Sequence, residues 1–203
     1  MARTPAVDAH DGVTRDDHLR SLSCMRVVSG ELRGRRIESP SGDATRPTTD
    51  KVREAVFNAL GSLGAVEGAR VLDLFAGTGA MGIEALSRGA GHCTFVERDR
   101  AALATLRSNI AGLGLGERST VVAGDATSAM VSSHPADIVI ADPPYGFVDW
   151  AGLLSHVPRG ALVILESGSP VAAPAGWECL REKRYGRTFV AFLRSGEDAR
   201  GTV

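Results

Sequence analysis

From Arg70 onward the chain alternates between two hydrophobic periods. RVLDLF (70–75), CTFVE (93–97), STVVAG (119–124), DIVIAD (137–142) and ALVILES (161–167) are short apolar runs rich in β-branched residues, with the length and composition of buried strands. Between the first three lie AMGIEALSRG and RAALATLRSNIAGLG, whose apolar residues return every three or four positions, as on one face of a helix. Strands alternating with helices predict an α/β, doubly wound domain: a mostly parallel sheet covered by helices on both faces. WECLREKRYG and RTFVAFLR read instead as two strands joined by a turn, which brings the predicted sheet to seven strands and ends it antiparallel.

Upstream, MRVVSGELRGRRIE holds two strand-like runs around Ser29-Gly30, a small N-terminal β-hairpin carrying exposed arginines. After the turn-rich SPSGDATRP, the residues Val52, Ala55, Val56, Ala59, Leu60 and Leu63 mark one face of a helix, which Thr48 or Thr49 can cap. Residues 1–24 are polar and lack periodicity, so a disordered leader is expected there, with Met25 a candidate start of the patterned chain. The predicted organisation is a leader (1–24), a basic hairpin and linker (25–47), a catalytic domain (48–195) and a flexible tail (196–203).

Composition narrows the class. A chain of 203 residues with 43% apolar residues can bury one core. No stretch approaches the roughly 18 to 20 apolar residues of a membrane span, and residues 1–24 lack the apolar centre of a signal peptide, so a cytoplasmic protein without a membrane partner is expected. Cys24, Cys93 and Cys179 are scattered and the five histidines show no ligand spacing, which predicts reduced thiols and no metal. No exposed apolar stripe calls for a partner subunit, and a monomer is the expectation. Net charge is −1, yet Met25 to Arg53 carries +3, from Arg26, Arg33, Arg35, Arg36, Arg46, Lys51 and Arg53 against four acids. These seven are the candidate RNA-binding residues, since arginine and lysine hold a nucleic-acid backbone without reading its sequence.

The first strand runs into Ala76-Gly77-Thr78-Gly79-Ala80-Met81-Gly82, which satisfies G-x-G-x-x-G and taken alone points to NAD. Asp73 opposes that reading, because a carboxylate just before the glycines would repel a pyrophosphate. The same charge suits S-adenosylmethionine, whose ammonium and sulfonium are both cationic, and D-L-F-A-G-T-G resembles the cofactor loop of class I methyltransferases with their Rossmann-like fold. Glu97, ending the next strand 24 positions after Asp73, can hold a ribose. Asp125, after the third strand, fits by fold analogy the place that contacts adenine. The expected cofactor contacts are Asp73, Phe75, Ala76, Gly77, Thr78, Gly79, Glu97, Arg98, Asp125 and Ala126, together with Arg46 and Thr48.

The fourth strand delivers Asp142-Pro143-Pro144-Tyr145 to the carboxyl edge of the sheet. An aromatic amine is a poor nucleophile because its lone pair is delocalised into the ring. Asp142 can accept one of its N–H groups and the Pro143 carbonyl the other, favouring a pyramidal nitrogen. Two prolines stiffen the turn, and Tyr145 offers a face on which an unstacked base can lie.

With MRVVSGELRGRRI, RPTTDKVREAVFNAL, VLDLFAGTGAMGIEALSRGA, FVERD, DPPY and KRYG-RTFV in this order, the chain from Met25 to about Leu193 resembles the RsmD-type 16S ribosomal RNA guanine-N2 methyltransferases. The resemblance implies transfer of one methyl group from S-adenosylmethionine to N2 of a guanine, on the 30S subunit or an assembly intermediate. It also implies that Arg46, Pro47, Thr48 and Thr49, with Arg53 and Asn58, pack over cofactor and base. Alternatives are an adenine-N6 methyltransferase acting on DNA or RNA, for which no target-recognition insertion is present, and a catalytically silent RNA-binding assembly factor.

Overall fold

Every strand predicted from the periodicity forms, and seven of them share one sheet. The computed structural model describes residues 25–39, 47–128, 131, 133–144 and 146–195, so the leader, the tail, Arg46 and Tyr145 lie outside the described residues. The seven are β3 (Arg70–Leu74), β4 (His92–Glu97), β5 (Ser119–Ala123), β6 (Ile138–Ala141), β7 (Leu162–Ser167), β8 (Trp177–Tyr185) and β9 (Thr188–Ser195). Their order is β5-β4-β3-β6-β7-β9-β8, parallel as far as β7 and antiparallel at β9 and β8.

Period-two alternation divides the strand residues between two cores. Val71, Cys93, Phe95, Ile138, Ile140, Ile164 and Phe192 face α1 (Pro47–Ser62), α2 (Ala80–Ser87) and α3 (Arg100–Gly112). Leu72, Leu74, Val139, Val163, Leu165 and Leu193 face α4 (Trp150–Ser155), a short helix the periodicity did not reveal. Phe57 and Leu60 dock α1, and burying each contributes about 2–3 kcal/mol. The helix begins at Pro47, where fixed φ and a missing N–H cost nothing, which puts Thr48 and Thr49 in its first turn. Leu63 lies beyond the end of α1 and is exposed.

Upstream, β1 (Met25–Arg26) pairs antiparallel with β2 (Arg36–Ile37). The hairpin is bolted to the domain. Buried Glu84 of α2 accepts hydrogen bonds from the Val28 and Ser29 N–H groups at 2.7 and 3.0 Å and from Arg88 Nε at 2.7 Å. Arg53 of α1, only 2% exposed, brings Nε to 3.6 Å from the same carboxylate and donates to the Arg26 carbonyl at 2.6 Å and to Asp50 at 3.1 Å. Ser87 ties in the hairpin loop through Leu32 N–H and the Ser29 carbonyl, and Asn109 of α3 clasps both backbone groups of Glu38.

Removing Glu84 takes away the buried carboxylate beside Arg53 and leaves the guanidinium only the half-exposed Asp50 as countercharge. It also strips the Val28 and Ser29 N–H groups of their acceptor. Glu84→Ala is expected to lower unfolding free energy by about 3–5 kcal/mol, measured by urea denaturation. A loss below about 1 kcal/mol, the size of an exposed pair, would show that the hairpin is held by other contacts.

Candidate active site at the carboxyl edge of the sheet

Successive crossovers leave β3 in opposite directions, towards β4 and β5 on one side and towards β6 and β7 on the other. A crevice must open where they part. There the structure has a cleft of about 1190 Å³, larger than the roughly 300–1,000 Å³ of a pocket for one ligand and roomy enough for two.

One wall is the loop after β3. Phe75 has φ of 59°, a left-handed conformation costing a non-glycine residue on the order of 1–2 kcal/mol, and its ring packs edge-on against Phe147 at 5.7 Å. Phe147 in turn meets Trp150 at 4.9 Å, so the glycine loop and the segment after Pro144 share one aromatic row. Gly77, at φ 54°, has its missing side-chain position open, which lets a ligand approach the backbone. Gly79 differs: a Cβ there would fall 2.4 Å from Leu106 Cδ1, so it serves the packing of α2 on the sheet and does not line the cleft.

Asp73 lies under this loop, 3% exposed, and accepts the Gly82 N–H at 2.8 Å. It thereby occupies the N-terminus of α2, whose N-cap Gly79 has no side chain to do so. The place where a pyrophosphate would sit is taken by an acid, and the NAD reading of the glycines falls with it. Burial, with the charges of Asp142 and Glu97 nearby, pushes the Asp73 carboxyl up to about 8 against the pull of the Gly82 N–H.

Glu97 holds the loop in shape. Its Oε2 accepts Gly77 N–H at 2.8 Å, and its Oε1 accepts the Arg98 and Asp99 N–H groups at 2.7 and 2.8 Å. Carboxylate oxygens accept more than one bond each, so it retains acceptor capacity towards the cleft that it lines. Asp125 is engaged but still half-exposed: its carboxylate accepts Thr127 N–H and Oγ1–H at 2.8 and 2.7 Å and meets Arg98 at 3.2 Å. Those bonds, the Thr127 amide foremost, hold its carboxyl below the usual range. Gly124 and Ala126 line the cleft, and Asp125 does not.

Opposite stand Asp142, Pro143 and Pro144, leaving β6. Asp142 keeps accessible surface but sits in a concavity, and the lost hydration pushes its carboxyl up to about 6. Glu166, ending β7, is a lining residue that the sequence reading passed over; burial and the charge of Asp142 push it up to about 8. A charged residue closing the apolar strand ALVILES at its carboxyl end was the available signal. Gly186, Arg187 and Thr188, at the β8–β9 turn, also line the cleft and were not anticipated.

Of the expected contacts, Asp73, Phe75, Ala76, Gly77, Thr78, Glu97, Arg98, Ala126, Asp142, Pro143 and Pro144 share this one cleft. Among the candidate RNA-binding residues, Arg53 is not on the surface: it reaches the cleft from a buried position and its charge is spent on Glu84. Asn58 accepts from Arg88 at 3.1 Å on the outer side of α1 and does not line the cleft. Arg26, Arg33, Arg35, Arg36 and Lys51 are exposed. Arg26 donates to the Gly34 carbonyl and Arg35 to the Gly112 carbonyl.

Residues 25–194 match the family model described as conserved hypothetical protein 95. Ribosomal RNA small subunit methyltransferase D of Escherichia coli is 36% identical over 191 residues, 87% of this chain and 92% of that one. The chain belongs to the RsmD family. A Bacillus subtilis member, named a candidate rRNA methyltransferase, is 38% identical over 183 residues, covering 84% of this chain and 98% of its own. Among solved structures, a candidate methyltransferase from Escherichia coli superposes with a TM-score of 0.73 at 34% identity, covering 86% of this chain and 99% of that one. A candidate methylase from Haemophilus influenzae gives 0.69 at 28%, covering 86% and 99%. The RsmD-family match begins at Met25, so the hairpin bolted by Glu84 belongs to the shared fold.

Asp73, Asp142 and Glu166 bind protons in the folded protein at pH values where the unfolded chain has released them. Stability of the ligand-free protein must therefore fall as pH rises from about 4 to about 8. Melting temperature is expected to decrease between pH 5 and pH 8, and Glu166→Gln to shrink that decrease. A melting temperature that rises over this interval in scanning calorimetry would contradict the desolvated cleft.

Proposed function

We propose that this RsmD-family enzyme transfers a methyl group from S-adenosylmethionine to the exocyclic N2 of a guanine in 16S ribosomal RNA. One observation carries the reading: Asp142-Pro143-Pro144 leaves β6 at the switch point, inside the same cleft as Asp73 and the Gly77 loop.

The cleft fits the cofactor on chemical grounds. Asp73, Asp142 and Glu166 are desolvated acids facing one space, which favours a cationic ligand, and Gly77 leaves that space open beside the backbone. Phe75, Ala76, Gly77 and Thr78 would hold its methionine part, Glu97 its ribose, and Arg98 and Ala126 would border its adenine. When bound, S-adenosylmethionine supplies an electrophilic methyl group on a sulfonium.

Asp142 accepts one N–H of the target amine and the Pro143 carbonyl the other, which withdraws the lone pair from the ring and aims it. Rigid prolines keep these acceptors placed before the substrate arrives, so no ordering cost is met at each turnover. With its carboxyl raised, Asp142 is also suited to take the proton that the methylated amine releases. Tyr145, outside the described residues, follows directly in the chain and would carry the base face.

RNA would enter the cleft past Arg187 of the β8–β9 turn, which lines it. The exposed Arg33 and Arg36 of the hairpin, whose tip packs on the far end of α2 at Ser87, would hold more distant phosphates. Such a substrate belongs to the cytoplasm and to the 30S particle or its precursors. The decisive experiment supplies tritiated S-adenosylmethionine to unmethylated 30S particles, naked 16S RNA and DNA, then digests each product to nucleosides. Label in N2-methylguanosine from RNA or particles is expected. Label in N6-methyladenine would replace guanine by adenine, and no label in any arm would leave a silent assembly factor.

Asp142→Ala is expected to lower kcat about 100-fold or more while S-adenosylhomocysteine affinity stays within about threefold, measured by single-turnover kinetics and calorimetry. An equal loss of both would show that Asp142 serves the cofactor. Replacing Arg33 and Arg36 together by Ala is expected to reduce the slope of log K against log salt by about 1.4–1.8. An unchanged slope in filter binding would remove the hairpin from the RNA path.

A further inference from the structure

Glu166 stands beside Asp142. Parallel pairing sets Ala141 opposite Leu165, so the next residues along, Asp142 and Glu166, come abreast at the carboxyl edge. Alternation from Ile140 and Ile164, both in the core beneath α1–α3, puts the two acids on that same face. Both line the cleft, and among the described residues neither carboxyl group has a hydrogen bond or an ion pair. Asp73, by contrast, is spent on the Gly82 N–H.

The strand order gives the pair a direction. The cofactor loop and Glu97 belong to β3 and β4, Asp142 to the neighbour β6, and Glu166 to β7, one strand further from the loop. Neighbouring strands lie about 4.8 Å apart. A base whose amine is gripped at Asp142 and points towards the cofactor can lay its Watson–Crick edge towards β7. The atom next to the amine on that edge then meets Glu166.

We propose that Glu166 reads the Watson–Crick edge of the target base, accepting the N1–H adjoining the amine held by Asp142, and so restricts the reaction to guanine. The inference rests on the guanine-N2 reading given above and adds its specificity determinant. Guanine places a donor, N1–H, next to its amine, whereas adenine places a bare acceptor, N1, next to its own. An ionised Glu166 matches guanine and opposes adenine with lone pair against lone pair. A protonated Glu166 also matches guanine, with its carbonyl oxygen on N1–H and its hydroxyl donating to O6, but that hydroxyl could equally donate to N1 of adenine. The discrimination therefore belongs to the ionised form, which a cationic cofactor favours.

The test uses 2-aminopurine, which keeps the exocyclic amine of guanine but carries an acceptor at N1. 30S particles reconstituted with 16S RNA bearing guanine or 2-aminopurine at the methylated position compete for the full-length enzyme, and the ratio of kcat/KM is measured. Wild-type enzyme is expected to prefer guanine by about 100-fold or more, as sites built to bond a polar hydrogen do. Glu166→Gln, whose amide can donate to N1 or accept from N1–H, should fall below about tenfold. Glu166→Asp, which keeps the acid but draws it back, should lose kcat while retaining the preference for guanine. A cooperative melting transition and an unchanged circular dichroism spectrum report that both variants fold. A Glu166→Gln enzyme that folds by these measures and keeps the wild-type ratio overturns the role of Glu166. A wild-type enzyme that methylates no guanine overturns the guanine-N2 reading and this inference together.

Discussion

The Asp73 carboxylate on the Gly82 N–H is the bond around which the cleft is organised. It closes the N-terminus of α2 with an acid drawn from the sheet, because Gly79, which has no side chain, must be glycine for Leu106 and Phe95 to pack. Two consequences follow from one carboxylate. A helix end that would otherwise attract phosphate is already satisfied, and the crevice above it is biased towards positive charge. A glycine pattern shared with dinucleotide enzymes thus acquires the opposite ligand preference from a residue four positions before its first glycine.

Around that point the molecule is tied together at two levels. Glu97 grips Gly77 from below, and the Phe75–Phe147–Trp150 row joins the cofactor loop to the segment following Pro144. The left-handed strain at Phe75 is offset by the packing of its own ring against Phe147. Further out, Glu84 and Arg53 fasten the N-terminal hairpin to α1 and α2, and Asn109 spans from Glu38 to the Thr78 carbonyl. Asn109 therefore links the hairpin to the glycine loop through a single amide.

Strands and helices were legible because their periods are set by burial on one or two faces, and burial leaves a mark in local sequence. Asp73, Glu97 and Asp142 were legible because position at the carboxyl end of a parallel strand carries meaning by itself. What failed to show depends on distant partners. Arg53 reads as a surface arginine until Glu84, 31 positions later, is seen to bury it. That Thr127 and Arg98 also hold the Asp125 carboxylate is likewise invisible in its spacing. Short α4 has too few turns to set a period, and Glu166 gains its meaning only from the register of β7 against β6.

Placing two acids abreast in a desolvated cleft has an electrostatic cost that an apolar lining would avoid. Each raises the proton affinity of its neighbour, so the open cleft favours one shared proton over two full charges. A cation entering beside them reverses that preference, since it stabilises both ionised forms at once. In the proposed reaction a cofactor bound at β3 and β4 would therefore also bias Asp142 towards the acceptor state that an incoming amine requires, and so prepare the acids carried on β6 and β7.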